Sequence, residues 1–288
     1  MSALEKDEEK ERFKIAENGE MDPGNQDDMT DNIMKGLDFY KQEKFREAYE
    51  YFDMALNDSP DNPNILLNLA MCMLQGNLYN THAELMDIFD RIIAIDDKCK
   101  EAWANKGSYL AACGNLIDAL VCLNRAAVLC EEPQVLENRG NVYLELGNYE
   151  MALQDFNRAL QENPAKPDLI YKKGVSLMEL RRFEEALECF DKVLASDYKV
   201  DETRLSKAEV LLDLGKLDET ISVCDDILET DPDNIRAIGL KGISLHFTGD
   251  DDTARAELKR LKKIAKEKGM EKTQLIRILE QTLNEIDS

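Results

Sequence analysis

Residues 133–166 read PQVLENRGNVYLELGNYEMALQDFNRALQENPAK, and this stretch decides the fold. Gly140 and Tyr143 lie one helical turn apart, and Ala152, Phe156 and Ala159 follow at steps of four and three. Such spacing puts each set on one face of a helix. Pro164 then closes the stretch, because proline lacks the N–H that a further helical turn needs. The same columns recur along the chain. Gly36, Gly107, Gly140, Gly174 and Gly242 form the first, and Ala48, Ala119, Ala152, Ala186 and Ala254 the second. Four residues past each alanine stands Phe52, Leu123, Phe156, Phe190 or Leu258, and three further comes Ala55, Ala126, Ala159, Val193 or Leu261. A self-similar period of about 34 residues with two helices per unit is the signature of a stacked array.

Seven units fit the pattern, over residues 29–62, 63–99, 100–132, 133–166, 167–200, 201–234 and 235–268. The second departs from it: Ala70 replaces the glycine, and the step from Ala70 to Phe89 is three residues longer than usual. The added residues fall near Gly76–His82, between the two helices, where solenoids place their insertions. The sixth unit carries Ala208, Thr220 and Cys224 in the glycine, alanine and phenylalanine columns. Ahead of the array, residues 1–28 are charged and broken by Asp22-Pro23-Gly24-Asn25, which reads as a turn or a flexible lead; a short helix around Leu4–Ile15 stays open. Behind it, residues 269–288 place Leu275, Ile276, Ile278, Leu279, Leu283 and Ile286 on an amphipathic helix. A last unit has no successor to cover it, so this helix is expected as a cap.

Small residues at the glycine and alanine columns let two antiparallel helices approach closely, and the large apolar column fills the space beside them. In these columns the chain resembles the tetratricopeptide-repeat family over about residues 29–268. The resemblance implies an all-α, right-handed superhelical solenoid of helix-turn-helix repeats. It also implies that the first helices line a concave groove occupied by peptides or helices of other proteins, in an adaptor, a co-chaperone or an assembly subunit. One subfamily captures acidic chaperone tails through a clamp of Lys, Asn, Asn, Lys and Arg. Here Ile33 and Leu37 stand where its first Lys and Asn are required, Glu101 and Asn105 replace the basic pair, and Asn68 alone matches. Direct binding of acidic chaperone tails is therefore disfavoured.

Two positions before the small-residue column, the side chain is expected in the groove: Asn68, Asn105, Asn138 and then Lys172. Asn141 follows Asn138 by about one turn. A carboxamide has donors and an acceptor, so a row of them can hold a peptide backbone whatever its side chains. Local helix contacts are the alternative role. Glu137, Glu145, Asp168, Glu179, Glu202, Glu209 and Asp213 surround the row and favour a basic or amide-rich segment, or else form a solvated face. The groove ends are apolar, with Ile33, Met34, Leu37 and Tyr40 at one and Leu240, Ile243, His246 and Phe247 at the other. Such patches are either covered by residues 1–20 and the terminal helix or offered to an amphipathic partner helix. A basic run, Lys259, Arg260, Lys262, Lys263, Lys266 and Lys268, interrupts the acidic surface and suits a helix carboxyl end.

The net charge of −23 argues against nonspecific nucleic-acid binding and against docking on an anionic membrane. No stretch reaches the roughly 18 apolar residues of a membrane span. Cysteines sit inside apolar helical patterns, as reduced thiols in a cytoplasmic compartment do, and no metal-ligand spacing is present. No nucleophile, base and orienting group come together, and the glycines lie inside helices rather than in phosphate loops. The reading is a non-enzymatic protein-binding scaffold without metal or cofactor. The alternative is a structural subunit that assembles through its convex or lateral surface; the oligomeric state stays open.

Overall fold

The computed structural model describes residues 23–79, 81–269 and 274–284. Among them the chain is all α, in helix-turn-helix pairs. The pairs are α1 (Pro23–Lys41) with α2 (Phe45–Asp58), α3 (Pro63–Gly76) with α4 (His82–Ile95), and α5 (Lys100–Ala112) with α6 (Leu116–Leu129). Then come α7 (Pro133–Glu145) with α8 (Tyr149–Glu162), α9 (Pro167–Glu179) with α10 (Phe183–Leu194), α11 (Val200–Asp213) with α12 (Leu217–Thr230), and α13 (Ile235–Phe247) with α14 (Asp251–Glu267). A last helix, α15, spans Gln274–Asn284. The chain divides into two compact units, one through Val135 and one from Leu136.

Local chemistry sets the helix limits. Asn62 accepts from the N–H groups of Asn64 and Ile65 at 3.0 and 3.3 Å, and Pro63 takes the first helical position, where no N–H is needed. The turn inside each pair requires a left-handed residue. Gly114, Gly147, Gly215 and Gly249 supply it, whereas Glu43 (φ 59°) and Arg181 (φ 57°) adopt it with a side chain. Helix α1 begins at Pro23, inside the 1–28 lead, because that proline opens a helix rather than a turn. The expected helix at Leu4–Ile15 lies outside the described residues. In the second pair α3 ends at Gly76 and α4 starts at His82, so two of the three additional residues stand between the helices and one lengthens α3. His82 itself belongs to α4, whose first turn is capped by Thr81 Oγ1 accepting from Glu84 N–H at 3.2 Å.

The columns meet as two halves of one contact. A Cβ built on Gly140 would lie 2.6 Å from Phe156 Cε1, and one on Gly174 2.7 Å from Phe190 Cε1. Gly36 and Phe52 give 2.8 Å, and Gly107 and Leu123 Cγ 2.7 Å. Ala48, Ala119, Ala152, Ala186 and Ala254 are fully buried, as are Phe52, Leu123, Phe156 and Phe190. In the sixth pair the larger Ala208 is matched by the smaller Cys224, both fully buried in one cluster. The seventh pair differs. The atom nearest a Cβ on Gly242 is Leu279 Cδ2, at 2.7 Å, so the terminal helix and not Leu258 fills that slot. Ile276 and Leu279 join Ile238, Ile243, Leu261 and Ile264 in a single core.

Candidate functional site

Within the second unit the first helices stand side by side, stitched by polar contacts. Lys172 Nζ donates to Glu137 Oε1 at 3.1 Å, which joins α9 to α7. Tyr171 Oη lies 3.4 Å from Ser206 Oγ, between α9 and α11, and Arg236 pairs with Glu209 between α13 and α11. Asn138 and Asn141 on α7 are partly exposed on this layer. In the first unit Asn68 on α3 and Asn105 on α5 occupy the same register and are also partly exposed. Leu69 and Ala70, next to Asn68, are buried, as is Gly107 after Asn105.

Lys172, at the fourth position of the amide column, is already engaged in ion pairs. Its ammonium contacts Asp168 Oδ2 at 2.6 Å as well as Glu137, and Lys166 reaches Glu137 Oε2 at 2.5 Å. Burial alone would lower the Lys172 pKa, but the hydrogen bonds to Asp168 and Glu137 raise it on balance. Asp168 also accepts from Tyr198 Oη at 2.8 Å and Lys199 Nζ at 3.3 Å. Its burial works toward the neutral form, yet the donors Lys172, Tyr198 and Lys199 outweigh that and hold the carboxyl at about 2. The charges of Glu137 and Asp168 are thereby answered inside the fold, whereas Glu145, Glu179, Glu202 and Asp213 are exposed.

At the apolar ends, most of the side chains are covered within the described residues. Ile33 is buried in the first core, Leu37 and Tyr40 pack against that core, and the Tyr40 ring meets Phe45 edge-on at 5.3 Å. Ile33 precedes Gly36 by one turn and so shares the face that receives Phe52. Ile243 is buried beneath α15. Phe247 stays 61% exposed, beside His246, whose Nδ1 lies 2.6 Å from Asp251 Oδ1. In the basic run Arg260 donates to the Pro232 carbonyl, Lys268 to that of Asp233 at 3.0 Å, and Lys262 pairs with Glu280 on α15 at 2.5 Å. These three side chains fasten the end of the array. Lys259, Lys263 and Lys266 are exposed.

Three features escaped the column reading. Lys199 Nζ lies 5.4 Å from the Tyr171 ring centre and 5.3 Å from that of Tyr198. Arg139 makes a two-pronged ion pair with the buried Asp155, at 2.7 and 2.6 Å. On α6, Ile117, Val121 and Val128 are 65%, 61% and 77% exposed, and their spacing was the available signal. Among the described residues no three His, Cys, Asp or Glu side chains gather to hold a metal, and no helix is long and apolar enough to cross a membrane.

Two family models, each described as tetratricopeptide repeat, match the chain, one over residues 133–166 and the other over 33–93 and 171–235. Together they take in more than half of it. The chain belongs to the tetratricopeptide-repeat family. Proteins of this fold generally mediate protein–protein interactions. No curated protein matches the chain. Solved structures do. PilF of Pseudomonas aeruginosa is 19% identical with a TM-score of 0.60, over 74% of this chain and 96% of that one. YrrB, described as a TPR protein with an unusual peptide-binding site, is 22% identical with a TM-score of 0.56, over 67% of this chain and 97% of its own. A tetratricopeptide repeat protein from Parabacteroides merdae is 18% identical with a TM-score of 0.56, over 89% and 99%. Identities at this level speak to the shared fold.

Proposed function

We propose that the chain is a non-enzymatic scaffold or adaptor that holds a peptide or helical segment of another protein on the face of its first helices. The observation that carries this reading is the amide register within each unit: Asn68 and Asn105 in the first, and Asn138 and Asn141 in the second, are partly exposed on first helices, beside columns that are buried. Amides at that register can satisfy an extended backbone without demanding particular side chains. Lys166 and Lys172 are already paired with Glu137 and Asp168, so they offer an acidic tail little attraction. A basic or extended segment suits the net charge of −23. Burial pushes the Cys72 and Cys224 thiols up to about 12, as befits reduced core thiols in a cytoplasmic protein.

Affinity capture with the wild type and with Asn68, Asn105, Asn138 and Asn141 changed together to alanine tests the proposal. Loss of the main partner is expected, and capture at unchanged affinity refutes it. The exposed stripe Ile117, Val121 and Val128 favours a second reading, a structural subunit that assembles through its second helices. Under that reading Val121→Asp, rather than the asparagine variant, abolishes capture.

A further inference from the structure

The Lys199 ammonium sits in a small box. Its walls are the rings of Tyr171 and Tyr198, 5.4 and 5.3 Å away, and Asp168 Oδ1 closes it at 3.3 Å. An ammonium within about 6 Å of an aromatic ring centre is drawn to the negative face of the ring, and a carboxylate adds a full opposite charge. We infer that Tyr171, Tyr198 and Asp168 form a recognition site for a lysine side chain of the bound partner, held in the free protein by Lys199 as a stand-in. This inference rests on the scaffold reading and gives it a partner chemistry: an unmodified lysine within the captured segment.

The walls do not depend on their present occupant. Tyr198 Oη donates to Asp168 at 2.8 Å, and Asp168 is anchored from the other side by Lys172 at 2.6 Å. Tyr171 is backed by the Phe190 ring at 6.0 Å and lies 3.4 Å from Ser206 through its hydroxyl. The occupant is poorly placed by comparison. Lys199 adopts φ 44° and ψ 49°, a left-handed conformation unfavourable for a residue with a Cβ, and gives α11 no side-chain cap. Its side chain remains 42% exposed, so solvent and a competing ammonium can both reach it. The box also adjoins the first-helix layer, since Asp168 and Tyr171 lie on α9 and Lys172 links them to Glu137 beside Asn138.

Lys199→Gly in the full chain empties the box and puts glycine where the left-handed backbone favours it, so this variant is expected to fold at least as well as the wild type. The probes are the blocked peptide Gly-Gly-Lys-Gly-Gly and its Nε-acetyl-lysine counterpart, titrated against both proteins by NMR. If Lys199 fills the box about nine-tenths of the time, its removal tightens the lysine peptide by about tenfold. The acetylated peptide, lacking the charge, shows no gain, and adding Tyr171→Leu to Lys199→Gly abolishes it. Equal binding of the lysine peptide to wild type and Lys199→Gly overturns the inference. So does an equal gain for the acetylated peptide, or a gain that survives Tyr171→Leu. Because the peptide readout does not involve the asparagine register, capture unaffected by the asparagine variant would refute the scaffold face and leave this result to stand by itself.

Discussion

Gly140→Ala puts the packing account at risk. The new Cβ would lie 2.6, 2.9 and 3.1 Å from three ring carbons of Phe156, against a comfortable carbon–carbon separation of about 3.5–4.0 Å. The ring must therefore retreat by about 1 Å, and Phe156 is fully buried, so its neighbours must give way with it. Overpacking of this kind costs about 1–3 kcal/mol, while alanine gains about 1 kcal/mol over glycine in helix propensity. The net expectation is a loss of about 0–2 kcal/mol. The sixth pair shows how to reverse the sign, since Ala208 there is accompanied by Cys224. In a Phe156→Cys background the clash is gone, and Gly140→Ala should stabilise by about 1 kcal/mol from propensity alone. Urea unfolding followed by circular dichroism at 222 nm, run as a double-mutant cycle, measures both steps. If Gly140→Ala changes stability equally in both backgrounds, the glycine and phenylalanine columns are not energetically coupled and the reasoning fails.

Three further outcomes follow from the structure. Asp155→Ala removes the buried carboxylate from its two-pronged pair with Arg139, 12% exposed, and should cost about 3–5 kcal/mol in urea unfolding; Asp155→Leu combined with Arg139→Met should recover much of that. The Asp168 carboxyl is held at about 2, below its ordinary 3.8, so it stabilises the fold above pH 3.8 and loses that contribution as pH falls toward 2. The gap in urea midpoint between wild type and Asp168→Asn should therefore be full at neutral pH and close between pH 4 and 2; a gap independent of pH would contradict the ion-pair account. A chain ending after Gly269 loses the burial of Ile276 and Leu279, about 3–6 kcal/mol at roughly 1.5–3 per side chain, and should show faster hydrogen exchange in α13 and α14.

The architecture was readable because it repeats. Gly140, Ala152 and Phe156 mean little singly, but the same residue classes at the same steps in five units leave a pair of close-packed helices as the reading. The seventh pair was legible only in part: Leu258 has the right spacing for the glycine slot, and nothing in the sequence tells that Leu279, from a helix beyond the period, takes it. The ion pairs of Lys172 have no trace in its column, because a column gives direction and not company; its partner Glu137 comes from the preceding repeat, across a distance in sequence that no local pattern records. Tyr198 and Lys199 sit at a unit boundary, outside every column, so the box they form with Tyr171 had no periodic trace. For Ile33 and Ile243 the pattern left internal cover and a partner helix both open, because an apolar helix face does not record what packs on it; in the structure each side chain is buried in a core of the chain's own helices.

Leu279 in the seat beside Gly242 has a bearing on association between copies. Arrays built from like modules run the hazard of continuing themselves, one molecule's opening helix settling on the closing face of the next until a fibre grows. Here that face is already occupied, with Ile276 and Leu279 seated in it and Lys262 latched to Glu280. Head-to-tail growth through α13 would first have to prise away a helix the chain supplies to itself.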